Sequence, residues 1–302
     1  MSTETPHSDH RLAAFEKHRR RIWGVAYRML GSRAEADDMV QETYLRWHRI
    51  DAPEIRVPEA WLVTTVTRLS IDRLRELRAE RDAYVGPWLP EPLVAETAPA
   101  ADQAVELASD LSVAFLALLE RLAPEERAAF LLHEVFESDY ADIAQILGKS
   151  EIACRQVVSR AKARVRAGRP RVHVSAHASR RLLDGLVRAI QAHDKDALMA
   201  LLAQDAAWIS DGGGKAKAAH KVVRGADRVA RFALGVLRLA HHFEFRPIEV
   251  NGEPGIALVH EGKPFSIMSI RTDGVRILEV YAILNPAKLR GVDLSQTSAP
   301  NV

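Results

Sequence analysis

Asp139-Tyr140-Ala141-Asp142-Ile143-Ala144-Gln145-Ile146-Leu147-Gly148-Lys149-Ser150 reads as a short amphipathic helix, a tight turn and the cap of a second helix. Glycine after the last apolar position ends a helix, and Ser150 caps the next. In that second helix the spacing predicts that Ile152, Val157, Ala161 and Val165 pack inward. Arg155, Gln156, Ser159, Arg160, Lys162 and Arg166 then share the outer face. Two helices joined by a glycine turn, the second basic on one face, form the pattern of a DNA-binding helix-turn-helix. Arg reads guanine or holds phosphate, while Ser and Gln contact base edges or backbone. The same pattern also suits a plain helical hairpin with a solvated basic face. Cys154, near the start of the second helix, is either a redox-sensitive thiol or a small packing residue.

Outward from this element, 302 residues are enough for two or three domains. The net charge of +2 says little, but Arg and Lys cluster at 17–21, 68–81 and 155–171, where phosphates are bound by local charge. The single cysteine excludes an intrachain disulfide framework and a cysteine-based zinc site. The first ten residues are polar, and no apolar run reaches the roughly 20 residues of a membrane span. A cytoplasmic protein without membrane contact is expected.

Helical periodicity returns along residues 10–80, with breaks at Leu30-Gly31-Ser32 and at 51–58. Helices are predicted from about 10 to 30, from Arg33 to Arg49, and from Pro58, which suits a first helical turn. Residues 81–107 read as a Pro- and Ala-rich linker, and 108–168 as a second helical domain. From Ser175 the character changes. Helical stretches at about 175–192 and 194–203 precede strand-like runs at 243–250, 255–260, 265–271 and 275–284. Turns at Asn251-Gly252, Glu261-Gly262 and Asp273-Gly274 separate those runs, so an α+β domain with an antiparallel meander is predicted over 175–290.

Ala36-Asp37-Asp38, Gln41-Glu42-Thr43-Tyr44, Ala60-Trp61-Leu62 and Ser70-Ile71-Asp72-Arg73-Leu74-Arg75, together with the helix-turn-helix, resemble an extracytoplasmic-function (ECF) sigma factor of bacterial RNA polymerase. The resemblance covers residues 10–168. It implies two all-α domains: a region 2 type that binds the polymerase β′ clamp and opens the −10 element, and a region 4 type that reads the −35 element. Carried over by motif, Asp37, Asp38, Gln41 and Glu42 would face polymerase. Arg56, Trp61, Arg68, Arg73 and Arg75 would serve the −10 element, with a flipped base held at loop 50–57. Ser150, Arg155, Gln156, Ser159, Arg160 and Lys162 would serve the −35 element. Single-strand capture needs basic groups and aromatic surfaces. Trp61 fits that role and fits a core position equally well.

The back half resembles a SnoaL-like (nuclear-transport-factor-like) α+β cone domain. Sigma factors with such a fused extension, the SigJ type, carry three signatures found in this chain. They are Trp88-Leu89-Pro90, Asp211-Gly212-Gly213-Gly214-Lys215 and Asn285-Pro286-Ala287-Lys288-Leu289. The family's last signature has an acid where Ala287 stands, so any role for that carboxylate fails here. Trp88-Leu89-Pro90 is a stiff apolar segment suited to docking, or a linker whose ring covers local core. The three glycines beside Lys215 suit an anion nest or a bare turn. Asn285-Pro286 ends a strand. Together these residues are expected to form interdomain regulatory contacts.

SnoaL-like relatives include enzymes, which makes Asp205, Trp208, Asp211, His220, His241, His242 and Glu244 candidates for cone chemistry. No tuned acid–base pair or metal-ligand spacing stands out, and His241 and His242 would point to opposite faces of a strand. The expectation is therefore a sigma factor regulated in cis, not an enzyme, with no cofactor and no metal. Its partners would be the RNA polymerase core (β′ and β subunits), promoter DNA, and an unidentified small ligand in the C-terminal domain. A ligand-sensing transcription regulator, or a SnoaL-type enzyme fused to a DNA-binding module, is the alternative.

Overall fold

Local signals fix the helices at the front of the chain. In the computed structural model, which describes residues 6–50, 55–94, 111–168, 174–238 and 243–294, helix α1 spans Pro6–Leu30 and ends where Gly31 takes φ +67°. Ser32 caps α2 (Arg33–Arg49), and Pro58 opens α3 (Pro58–Asp82). α4 (Val113–Leu119), α5 (Pro124–Glu134), α6 (Tyr140–Leu147) and α7 (Glu151–Gly168) follow. Part of the sequence-read linker, residues 95–107, lies outside the described residues, as do loop positions 51–54.

The chain divides into two compact units. Residues 1–82 with 118–167 form one, and 83–117 with 168–302 form the other. The first unit is all helical. Its centre holds Arg127 on α5, 2% exposed, which donates to Met29 O (2.6 Å) and Leu119 O (3.0 Å) and pairs with Glu120 (2.7 Å). Arg81 donates to Leu30 O at 2.6 Å and also pairs with Glu120. Two guanidinium groups thus satisfy the last carbonyls of α1, where the helix dipole favours cations. Burial of Arg127 is tolerated because two carbonyls and the Glu120 carboxylate accept from its guanidinium.

In the second unit, α8 (Ala176–Gln191) and α9 (Lys195–Leu201) lead into β1 (Leu202–Asp211). β2 (Val223–Arg224), α10 (Ala226–Arg238), β3 (Glu244–Val250), β4 (Glu253–His260), β5 (Lys263–Thr272), β6 (Ile277–Ile283) and α11 (Pro286–Leu289) complete it. Strand β1 was not expected: helix was predicted to 203, whereas α9 stops at Leu201. Leu202–Asp211 folds as a strand because it pairs with β6, about 75 residues away. The sheet order is β2-β1-β6-β5-β4-β3. The β3–β6 meander is antiparallel as expected, but β1 joins β6 in parallel, so the sheet is mixed.

Both sheet faces are covered, and strand alternation sorts the side chains. Trp208, Ile256, Leu258, Met268, Val280 and Ala282 pack with α8 to α10 on one face. Ile209, Ala257, Val259, Ile267, Tyr281 and Ile283 pack on the other with Leu89, Val113, Leu289 and Leu294. The linker residue Leu89 therefore belongs to the core of the C-terminal unit.

Candidate functional site

The three sequence motifs of the second unit meet at one carboxylate. Parallel pairing sets Asp211 beside Ile283, and the N–H groups of Leu284 and Asn285 donate to Asp211 O at 2.7 and 2.9 Å. The Asp211 side chain is fully buried. Its Oδ1 accepts from Tyr84 Oη at 2.6 Å, and its Oδ2 accepts from Leu89 N at 2.8 Å and Lys288 Nζ at 2.7 Å. Lys288 also donates to Leu89 O and sits 3.9 Å from the Trp88 ring centre. Asn285 Nδ2 donates to Tyr84 Oη at 2.7 Å, while its Oδ1 caps α11 through Ala287 N (3.0 Å). Each polar atom of this clasp thus has a charged or dipolar partner, which is what a buried ion pair requires.

Gly213 explains the glycine run. It has φ +57°, and a Cβ there would lie 2.3 Å from Asn285 Nδ2 and 2.7 Å from Tyr84 Oη. Close approach, rather than an anion nest, is what the glycine supplies. Lys215 is exposed and Lys215 N closes a turn on Gly212 O (2.9 Å), so neither joins the clasp. Ala287 is exposed as well, so the missing acid leaves the clasp intact. Two residues beyond the expected set complete it. Tyr84 had only its place four residues before Trp88 as a signal. Asn251, at φ +54°, exchanges hydrogen bonds with Leu93 (3.0 Å and 2.7 Å), and Val94 bridges Val250, so the linker adds a short edge strand to β3. Burial first, then the hydrogen bond to Asp211, pushes the Tyr84 phenol well above its usual range.

The helix-turn-helix has the expected local chemistry. Asp139 caps α6, Gly148 sits at φ +63°, and Ser150 Oγ accepts from Ala153 N at 3.2 Å. The buried face of α7 is Cys154, Val158, Ala161 and Val165: Ala161 and Val165 as expected, with Cys154 and Val158 in the places read for Ile152 and Val157. Ile152 is 71% exposed, and Cys154 is a packing residue whose thiol burial pushes its pKa up. Arg155, Gln156, Ser159 and Arg160 are exposed. Arg155 lies over the Tyr140 ring (4.5 Å) and pairs with Glu151, while Lys162 pairs with Glu134 at 2.7 Å. Burial acts to raise the Glu134 pKa, but hydrogen bonds from Lys162 and His133 outweigh it and hold the carboxyl below its usual range.

On α2, Asp37, Asp38 and Gln41 are exposed; Asp37 accepts from Trp23 Nε1 (2.7 Å), and Glu42 pairs with Arg46 (2.8 Å). Arg56, Trp61 and Arg68 line one groove of about 500 Å³ in the first unit. Trp61 is half-buried against Trp47 (5.5 Å), so it presents surface to groove and core alike. Arg68 donates to Ile146 O (2.9 Å) and Gln145 O (2.7 Å), the open end of α6. Arg73 lies apart from this groove in a bidentate pair with Glu35 (2.6 and 2.9 Å), which raises its pKa. Arg75 pairs with Asp72 and Glu125.

Residues 14–80 match the family model for Sigma-70 region 2, and 112–165 that for Sigma-70, region 4. The ECF RNA polymerase sigma factor SigJ of Mycobacterium tuberculosis is 37% identical over 305 residues, spanning 95% of this chain and 96% of that protein. The chain belongs to the ECF RNA polymerase sigma factors. A probable ECF sigma factor, SigI of the same species, is 28% identical over 92% of the chain and 94% of its own length. The crystal structure of M. tuberculosis SigJ superposes with TM-score 0.75 at 36% identity, covering 94% of this chain and 99% of that one. The fold class is thereby two all-α sigma domains followed by an α+β domain built on a mixed six-stranded sheet. As an ECF sigma factor the protein binds RNA polymerase core and promoter DNA and initiates transcription at specific promoters.

The relatives are sigma factors, which are not enzymes. Within the second unit, Asp205 and His220 are exposed, Glu244 is exposed beside Arg246, and Asp211 is engaged in the clasp. His241 and His242 lie outside the described residues. Among the described residues no helix is long and apolar enough to cross a membrane.

Proposed function

We propose that the C-terminal domain regulates this sigma factor in cis by gripping the linker between its two sigma domains. The observation that carries the reading is the buried Asp211 carboxylate, which binds Tyr84, Leu89 and Lys288 at once. Residues 84–94 fully extended would reach up to about 38 Å. Docking them on the cone withdraws that length from the tether between region 2 and region 4. Because linker and grip share one chain, effective concentration is high, and a coupling of about 1–3 kcal/mol is enough to alter polymerase engagement. Promoter contacts would fall to Arg155, Gln156, Ser159 and Arg160 on α7, and to Arg56, Trp61 and Arg68 at the groove. Arg73 and Arg75 join only if they exchange their carboxylate partners. The exposed Asp37, Asp38 and Gln41 edge of α2, with Glu42, would meet the β′ subunit, while region 4 would face β.

Run-off transcription with polymerase core tests the regulatory reading. The full chain is compared with Asp211→Asn and with a chain ending at Leu284. Both changes are expected to alter initiation from one promoter in the same direction and by several-fold. Equal transcription from all three would remove the cis-regulatory role and leave the sigma activity standing. A small-ligand input to the cone is a second reading, favoured by the cavity described next.

A further inference from the structure

A cavity lies between the sheet and the helices of the C-terminal unit, walled by Trp208, Phe232, Phe245 and Met268. It offers about 50 Å³ to the centres of water-sized spheres, several times the roughly 10–15 Å³ that one water needs by that measure. Its walls are aromatic and aliphatic; Trp208 and Phe232 meet edge to face at 5.7 Å. One polar group breaks the pattern. Ser266, 2% exposed, lines the cavity, and its Oγ has no hydrogen-bond partner among the described residues. Its cross-strand neighbour Leu258 is also a wall residue. Buried hydroxyls are almost always partnered, so an orphan aimed into a cavity signals an acceptor or donor supplied from outside. The exposed ammonium of Lys217 stands at the cavity lining and disfavours cationic ligands.

We propose that this cavity is a binding site for a small, mainly apolar or aromatic molecule, neutral or anionic, whose single hydrogen-bonding group is recognised by Ser266. The binding site stands on the cavity alone. Its link to regulation rests on the reading above: Ser210 and Leu284 line the cavity, Asp211 follows Ser210, and Leu284 N donates to Asp211 O. Occupancy would therefore press on the strand ends that carry the clasp.

The test uses the full chain labelled with ¹³C-methyl methionine, titrated with phenol and separately with toluene. Met268 lines the cavity, while Met29 and Met39 belong to the other unit and serve as internal controls. The Met268 methyl signal is expected to shift saturably, with phenol binding about fivefold tighter than toluene through one added hydrogen bond. Ser266→Ala should weaken phenol to the toluene level and leave toluene unchanged. Ala282→Leu, which fills the lining, should abolish both shifts. No saturable shift at Met268 with either probe would mean the cavity holds only water and would overturn the proposal. Equal affinities in the unaltered chain, or a shift that survives Ala282→Leu, would overturn it too. Persistence of phenol binding in Asp211→Asn would separate the site from the clasp.

Discussion

Asp211→Asn is the most informative single change. The substitution keeps the shape but replaces one carboxylate oxygen with an amide nitrogen. Lys288, only 12% exposed, then loses its counter-charge while staying buried among Leu89 O and the Trp88 ring. One of the three donors, Tyr84 Oη, Leu89 N or Lys288 Nζ, must also face a donor. Breaking a buried pair from one side costs about 3–5 kcal/mol. At about 1.4 kcal/mol per tenfold, local opening of the linker should rise roughly a hundred- to several-thousand-fold. Hydrogen exchange at the Leu89 amide reads that opening directly, since this N–H is one of the three donors. Asp211→Asn with Lys288→Met removes both charges, so its cost should fall to about 1–2 kcal/mol. Leu89 protection within threefold of the parent in the single variant would refute the clasp as the linker's anchor. So would a double variant no better than the single one.

Gly213→Ala should destabilise the C-terminal unit more than Gly148→Ala destabilises the first. Gly148 (φ +63°) has nothing within 4 Å and carries only the left-handed backbone cost of about 1 kcal/mol, whereas Gly213 adds a clash with Asn285 and Tyr84; thermal unfolding of each variant compares them. Docking of Tyr84 should depend on pH from above. Its phenol pKa is raised by burial and by Asp211, so the stabilisation is complete below the unfolded value of about 10 and is lost as pH climbs toward the folded value. Ultraviolet titration should show Tyr84 and the buried Tyr281 both ionising late, and Tyr84→Phe should remove one of the two. Arg160→Ala, at an exposed position, should leave stability within about 0.5 kcal/mol. It should also lower the salt slope of −35 duplex binding by roughly one. An unchanged slope would take Arg160 off the interface.

Much of the first unit was legible because its signals are local. Gly31, Ser32, Pro58, Gly148 and Ser150 act within one helical turn of themselves, so their reading survives without tertiary context. The inward face of α7 was less secure. Ile152 and Val157 suit helical packing as well as Cys154 and Val158 do, and only the neighbouring helices decide which stripe is covered. At the groove, an arginine's type says nothing of its partner: Arg73 found Glu35 and Arg68 found the end of α6.

By itself, the sequence determined the helical front, the turn and caps of the DNA-reading element, and the three motifs that mark a SigJ-type chain. Only the tertiary structure decided that those motifs converge. Tyr84, Leu89 and Lys288 reach Asp211 across separations of 127, 122 and 77 residues. The meeting depends on β1 pairing in parallel with β6 and on the linker packing against the sheet face opposite α8 to α10. Strand register is set by which faces become buried, a property of the assembled sheet that no short window of sequence contains.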